Sequence, residues 1–210
     1  MYTSLRATTR TLIGLLQSRI QADPELGVVF HPAGTMVVSP NTPVEMTDNT
    51  QSGLSVWLYR VVRDEQTLNA PPQRIGFDQI EYPPLPMRLY YLMTPIADSD
   101  EEGSGSEMEQ AILGKVLQTL HDTPILRGAD LLGDLAGTDV EMAVRLESMD
   151  LEEITRVWDS LESSYQLSVS YEVSVVPIDT GKQPVAASPV YTVANEYGTI
   201  VGHGESADGP

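Results

Sequence analysis

The chain has three histidines, and none of them has the spacing of a metal-binding or catalytic pair. His31 stands in a predicted loop, His121 near a predicted helix end and His203 in the C-terminal tail. A two-histidine metal site would show the HxxxH or HxH spacing, which the sequence lacks. His121 is better explained by the favourable interaction of an imidazole with the C-terminal end of a helix dipole. We therefore predict no metal site.

A glycine-serine run at residues 103–106 precedes a predicted helix, where a phosphate loop would stand. The run lacks the Gly-Lys-Ser/Thr ending, and the acids of residues 98–102 would repel phosphate. This acidic segment also lacks the glycine and the glutamate that a calcium-binding EF-hand loop has at fixed positions. A flexible solvated loop is the better interpretation.

The remaining catalytic patterns are equally uninformative. The sequence has no Gly-x-Ser-x-Gly elbow and no cysteine, so neither a serine-hydrolase motif nor a thiol nucleophile is present. Its thirty acids offer too many carboxylate pairs to point to one glycosidase-like pair. We predict a protein that is not an enzyme and has no cofactor. A hydrolase whose site the sequence does not reveal is kept as an alternative hypothesis.

The formal net charge is −18, from thirty acids and twelve bases. So acidic a surface repels phosphate backbones and anionic lipids, which argues against nucleic-acid and membrane partners. It favours solubility or a partner with basic patches. The sequence has no run of eighteen apolar residues, and the apolar stretch at residues 12–16 is too short for a signal peptide. The lack of cysteine fits a reducing compartment such as the cytoplasm.

Periodic apolar residues predict the elements of the fold. Helical spacing predicts helices over residues 3–21, from Ser106 to about His121, and from Asp150 to Leu161. The last two begin with capping boxes, in which Ser106 pairs with Glu109 and Asp150 with Glu153. Strands are predicted at residues 54–63, 86–96, 140–148 and 167–176, and a helix is nearly as plausible for residues 140–148. Residues 27–39 contain two short strand-like runs, residues 40–53 are predicted to be a loop, and residues 64–84 are predicted to be a polar connection.

The strongest strand signal is the alternation over residues 167–176. Leu167, Val169, Tyr171, Val173 and Val175 are expected on one face, with serine and glutamate on the other. Because loops join several of the strands, the pattern predicts an α+β fold, a mixed and mostly antiparallel sheet packed by helices on one side, with an extended C-terminal tail.

The chain is predicted to divide into an α+β domain, residues 1–178, and a C-terminal extension, residues 179–210. The extension contains a short strand-like segment at residues 189–201 and then a disordered end. A short β-prone segment beyond a completed core is suited to pairing with another protein. The candidate partner-binding residues are Tyr191, Val193, Tyr197 and Ile200.

Several segments of the sequence occur in a characteristic order. An opening helix, SLRATTRTLIGLLQSRI, precedes VVSPNTPVEM, LSVWLYRVVRDEQTLN and the most specific phrase, PPLPMRLYYLMTPIADSDEE. EQAILGKVLQTLHDTPIL follows, and then LEEITRVWDSL and YQLSVSYEVSVVPID. Over residues 1–178 the chain resembles the tail-terminator, or cap, proteins of contractile injection systems, which are phage-tail-like particles.

The resemblance implies a structural protein with an α+β fold. Such proteins form homo-oligomeric rings, hexamers, on the distal end of the inner tube and the contractile sheath. There they end polymerisation and anchor the last sheath layer, in a particle that is released or anchored in the cell. The runner-up hypothesis is an assembly adaptor or chaperone that binds tail components only transiently.

Overall fold

A six-stranded mixed sheet forms the frame of the larger part of the chain. The computed structural model describes residues 2–97 and 104–187. The sheet has the strand order β1-β2-β5-β8-β7-β6; β1 and β2 are parallel and the other neighbours are antiparallel. Its strands are β1 (Met36–Ser39), β2 (Ser52–Arg63), β5 (Leu85–Ile96), β6 (Ile125–Arg127), β7 (Glu141–Leu146) and β8 (Val169–Ile178). The predicted α+β class with a mixed, mostly antiparallel sheet is confirmed.

The chain divides into two compact units. The larger comprises residues 1–71 and 83–181, and the smaller comprises residues 72–82 and 182–210. The smaller unit contains a three-stranded antiparallel sheet of β3 (Gln73–Ile75), β4 (Gln79–Glu81) and β9 (Val185–Ala186), with β4 in the middle. The domain boundary expected after residue 178 stays a prediction.

The larger unit contains five helices within its described residues. They are α1 (Ser4–Gln21), α2 (Leu26–Val29), α3 (Pro43–Asp48), α4 (Ser104–Asp122) and α5 (Leu151–Asp159). The main core lies between one face of the sheet and the helices α1 and α4, which are amphipathic as predicted. The fully buried side chains there include Leu12, Leu16 and Ile20 of α1, Ile112 and Val116 of α4, and Leu89, Tyr91 and Met93 of β5.

The opposite face of the sheet is partly covered by α5. The prediction that helices pack on one side of the sheet only is therefore wrong. Trp158 of α5 is 1% exposed and packs with Ile154 on Leu92 of β5. Its indole N–H donates to Ser168 Oγ at 3.0 Å, which satisfies the one polar atom that burial of tryptophan brings inside. The predicted capping box is present, since Asp150 accepts from the Glu153 amide and Glu153 accepts from the Asp150 amide.

Two short helices were not expected. Residues 26–29 form α2, where a strand-like run was predicted, because the Asp23 carboxylate accepts from the amides of Glu25 and Leu26 and caps the turn. Residues 43–48 form α3 inside the predicted loop. Thr42 and Glu45 make a capping box around Pro43 at the first helical position.

Three further local predictions are wrong. The connection at residues 64–84 contains the hairpin of β3 and β4, whose three-residue loop begins at Gly76 with φ of 69°. In β8 the alternation breaks at a register shift opposite Met87 and Arg88, so that Val176, and not Val175, joins the core. In addition α4 begins at Ser104, which puts Ser106 inside the helix and not at its cap. The ambiguous residues 140–148 contain a strand, β7.

Candidate partner-binding surfaces

The tail residues predicted to bind a partner, Tyr191, Val193, Tyr197 and Ile200, lie outside the described residues. His203 does too, whereas His31 follows α2 and His121 lies in the last turn of α4. The partner-binding role of the tail therefore stays a prediction. The described residues nevertheless present three surfaces that could receive another protein.

The first surface is an apolar groove of about 470 Å³ between the C-terminal half of α4 and the end of β7. Leu146 stands at its rim with 53% of its surface exposed, and Tyr171 of β8 is 3% exposed. Burial raises the pKa of the Tyr171 hydroxyl, which keeps the groove uncharged there. The lining residues are Leu117, Gln118, Leu120, His121, Pro124, Val144, Leu146 and Tyr171.

The backbone at the rim of this groove faces outward. The Val144 amide donates to the Pro124 carbonyl at 2.8 Å, on the β6 side, and the Glu147 amide donates to the Ser170 carbonyl at 2.9 Å, on the β8 side. Because backbone groups alternate along an antiparallel strand, the N–H and C=O of Leu146 point away from β8. The register of β6 ends opposite Ala143, so this piece of strand edge extends beyond it.

The second surface is the part of the sheet that α5 leaves uncovered. Arg60, Tyr90, Glu172 and Arg145 are register partners on four adjoining strands and form a polar row across it. The Arg60 guanidinium lies 4.9 Å from the centre of the Tyr90 ring, and the Tyr90 hydroxyl donates to Glu172 Oε2 at 3.1 Å. Arg60 and Arg145 are exposed at the two ends of the row. It thus offers two cations in a strongly acidic chain.

A largely buried ion pair lies beside Glu172, in the middle of this row. Arg88 Nε donates to Asp64 Oδ1 at 2.6 Å, and Arg88 Nη1 lies 3.6 Å from Glu172 Oε2. The Thr67 hydroxyl, which donates to Asp64 at 2.6 Å, and then Arg88 lower the pKa of Asp64. The carboxylate in turn raises the pKa of Arg88. Arg88 thus pairs with both Asp64 and Glu172, which is the arrangement of a structural network.

A cleft of about 430 Å³ separates β2 from α5 beside the row. There the Ser170 hydroxyl donates to Glu147 Oε2 at 2.5 Å and lies 3.0 Å from the Tyr59 hydroxyl. Burial raises the pKa of Tyr59. A serine activated for nucleophilic attack needs a neighbouring base such as histidine, and His31 and His121 lie on other elements. The cleft therefore gives no support to the hydrolase hypothesis.

The third surface is the hairpin of the smaller unit. Phe77 lies in the loop between β3 and β4 with 83% of its surface exposed. None of the described residues of this unit is buried, although Ile75, Tyr82 and Val185 are apolar or aromatic. Lys182 covers Tyr82 at 4.8 Å from its ring centre. A three-stranded sheet this small has too little apolar burial to be stable by itself.

Within the described part of the chain, no three histidine, aspartate or glutamate side chains are grouped so that they could hold a metal ion. Among those same residues, no helix has the length and apolar character needed to cross a membrane.

Comparison with known proteins identifies a family and a fold. The chain matches the family described as the Pvc16 N-terminal domain over residues 7–192. Its fold is similar to that of a PVC sheath/tube terminator in the extended state, from an extracellular contractile injection system, with a TM-score of 0.57 and 18% identity. That match covers 94% of this chain and 64% of the terminator, so this chain spans less than two thirds of that protein. The tube-terminating cap of the anti-feeding prophage matches with a TM-score of 0.48 and 21% identity, over 70% of this chain and 50% of the cap. No curated protein matches in sequence.

Proposed function

We propose a function from one premise: this chain belongs to the family of the Pvc16 N-terminal domain. The membership extends over residues 7–192 and confirms the resemblance to tail-terminator proteins that the sequence indicates. The role that follows is that of a structural cap without catalytic activity. The cap sits on the distal end of the inner tube and sheath of a contractile injection system and ends their growth. The family match is the observation that carries this proposal, and the shared fold supports it.

In this proposal several copies form a ring, a hexamer, that contacts the tube and anchors the last layer of the sheath. The chain is made in the cytoplasm and becomes part of a phage-tail-like particle. An acidic chain of net charge −18 suits contacts with basic patches on tube or sheath subunits. Neither nucleic acid nor membrane nor cofactor takes part.

The edges of the sheet support a terminating role. A growing filament exposes strand edges that template the next layer, and a cap must cover them without offering an equivalent edge beyond. The two outer strands here are short: β1 has four residues and β6 has three. Short edge strands limit further pairing along themselves, and β2 and β7 extend beyond them.

The tail supplies the contact to the sheath in this proposal. Tyr191 and Val193 are separated by one polar residue, and Tyr197 and Ile200 follow in the same β-prone segment, which suits an added strand whose backbone binds a sheath subunit. One such contact of about 4 kcal/mol corresponds to roughly millimolar affinity. Contacts on one ring strengthen each other, because each becomes nearly intramolecular after the first.

The test of the cap is the length of the particles made in its absence. Electron microscopy of particles from a deletion strain should show tubes and sheaths of uncontrolled length, and re-expression of the full chain should restore a single length. Density at the tube end of the complemented particles is expected. Normal lengths in the deletion strain would refute the cap, and normal assembly that needs the protein but leaves no density would instead identify an assembly adaptor.

The tail is tested separately by a stop after Ala187, which keeps β9 and removes the residues beyond it. We expect this truncated chain to form rings with the same number of subunits as the full chain while its co-sedimentation with purified sheath decreases. A second variant keeps the full length and replaces Tyr191, Val193, Tyr197 and Ile200 with serine. Its co-sedimentation with sheath should also decrease. Unchanged co-sedimentation of both variants would show that the tail does not bind the sheath.

A further inference from the structure

We propose that the hairpin of β3 and β4 is an arm by which one copy of the chain docks into the apolar groove of a second copy. The inserted side chain is Phe77, and the receiving surface is the groove between α4 and β7 with Leu146 at its rim. This inference rests on the proposed function, because it supplies the contact that holds neighbouring copies in the ring.

The arm has the properties of an interface anchor. Phe77 is one of two phenylalanines in the chain, and 83% of its surface is exposed. The Arg74 guanidinium donates to the Phe77 carbonyl at 3.4 Å, within the same loop. An aromatic side chain has few rotatable bonds, so it loses little conformational entropy on binding while it buries a large area, which is why aromatic residues dominate binding hot spots.

The groove has the properties of a receptor for such an anchor. Its volume of about 470 Å³ is ample for one aromatic ring, and six of its eight lining residues are apolar or aromatic. Leu146 is 53% exposed at its rim, so an inserted ring would remove apolar surface of both partners from water. The outward backbone groups of Leu146 add a place where an extended arm could hydrogen-bond.

The distribution of charge limits a second copy to contact through its arm. Residues 98–162, which supply all but one of the groove residues, hold seventeen acids and four bases. A second copy would be repelled through most of its own acidic surface. The smaller unit, which contains the arm, is different. In its described part Arg74 and Lys182 balance Asp78 and Glu81, so this part approaches without net repulsion.

The contact is also of the kind that closes a ring. Arm and groove are different surfaces of one chain, so each copy uses its arm on one neighbour and offers its groove to the other. Such a head-to-tail contact continues from copy to copy and closes when the rotation allows, whereas a symmetric contact would stop at a dimer.

The experiment measures self-association of the full chain by sedimentation velocity over a range of concentrations. Phe77→Ser and Leu146→Lys should each weaken association by at least ~10-fold, which corresponds to about 1.4 kcal/mol. Leu151→Lys is the matched control, because Leu151 is 68% exposed on α5 and belongs neither to the groove lining nor to the hairpin, so it should leave association unchanged. Unfolding in urea of each variant should match the wild type, since all three side chains are more than half exposed.

A mixture of the two variants gives the decisive result. Phe77→Ser retains an intact groove and Leu146→Lys retains an intact arm, so the mixture can form one intact contact per pair. We expect mixed dimers that do not grow further. Association of either variant at the wild-type level, an equal loss in Leu151→Lys, a mixture that stays monomeric, or a wild type that is monomeric at all concentrations would each overturn the arm.

Particle lengths separate this inference from the proposed function. If the variants form normal rings and particles keep a single length, the arm is wrong and the cap stands. If the arm contact is confirmed in solution but deletion of the protein leaves particle length unchanged, the cap is wrong while the contact between copies remains.

Discussion

Asp64 is the one charged residue that appears among the buried residues of the described chain, with 1% of its surface exposed. Asp64 directly follows β2, and its bond with Arg88 joins this end of β2 to β5. Its other partner, Thr67, lies three residues further along the chain. Replacement by asparagine keeps the shape but removes the charge that both partners stabilise. We expect Asp64→Asn to lower the free energy of unfolding by about 2 kcal/mol at pH 7, the usual scale for hydrogen bonds to a charged group.

The same carboxylate makes this difference dependent on pH. The pKa of Asp64 is lowered in the folded protein, first by the Thr67 hydroxyl and then by Arg88. Its contribution is therefore fully present above the unfolded value, near pH 4, and is lost as the pH falls through the lower folded value. The free energies of unfolding of wild type and Asp64→Asn, measured with urea, should begin to converge below about pH 4 and become equal once the pH is below the folded pKa. Glu65→Gln, an exposed neighbour, should differ little from wild type at any pH, and a constant gap for Asp64→Asn would contradict this account.

Individual side chains were predictable where a regular pattern continued and not where it broke. Tyr171 and Val173 were placed on the core face of β8 and are buried there. Val175 was placed with them, but the bulge opposite Met87 and Arg88 puts Val176 in the core instead. A bulge inserts one residue into one of two paired strands, so it depends on the partner strand, which the local alternation does not contain.

The helix α5 depends on its cap and on one aromatic anchor. Asp150 accepts from the Glu153 amide at 2.8 Å and so satisfies an amide that the first turn leaves unpaired. We expect Asp150→Ala to cost about 1 kcal/mol of folding stability, measured by urea unfolding. Glu152→Ala is the control, because Glu152 forms only an exposed ion pair with Arg156 and should cost less than about 0.5 kcal/mol. Equal losses in the two variants would show that charge near the helix start, and not the cap, matters.

Trp158 gives α5 its place on the sheet, and its replacement should be far more damaging. The side chain is 1% exposed, so Trp158→Ala leaves a large cavity against Leu92 and removes the hydrogen bond that the indole donates to the Ser168 hydroxyl. We expect a loss of about 3–5 kcal/mol in urea unfolding. Val157→Ala, a partly buried neighbour on the same helix, should lose clearly less. A loss below about 1 kcal/mol for Trp158→Ala would mean that α5 does not pack there as described.

Elements with a long apolar repeat were predictable, and short elements held by caps were harder. The capping box of α5 was found because an apolar helical stripe follows it. The box at Thr42 and Glu45 is chemically equivalent, yet α3 has six residues and stands among asparagine, threonine and proline, so the segment was predicted to be a loop. For α2 the capping side chain is Asp23, which lies beside Pro24 and marked only the end of α1. In such helices a few side-chain hydrogen bonds outweigh the local composition.

The surfaces that could bind a partner were the least predictable part of the molecule. The groove brings together Leu117, Pro124, Leu146 and Tyr171, which stand on separate elements and carry no motif. The hairpin of β3 and β4 was hidden in a polar segment, and β9 joins it from a hundred residues away in the chain. The family resemblance was recognised because it rests on the order of whole segments. A docking surface depends instead on which side chains the packing leaves exposed.

Net charge makes the last prediction one about salt. Each copy carries a formal charge of −18, so two copies repel at long range before any arm reaches a groove. Raising the ionic strength from about 10 mM to about 150 mM shortens the Debye length from roughly 30 Å to roughly 8 Å and screens this repulsion. A contact based on apolar burial is not itself weakened by screening, so self-association should tighten by about tenfold, as measured by sedimentation velocity at the two ionic strengths. Phe77→Ser should gain little from salt because it lacks the short-range contact that screening makes accessible. Association of the wild type that weakens with salt would mean that pairs of opposite charge hold the copies together, and the arm would then not be the main contact.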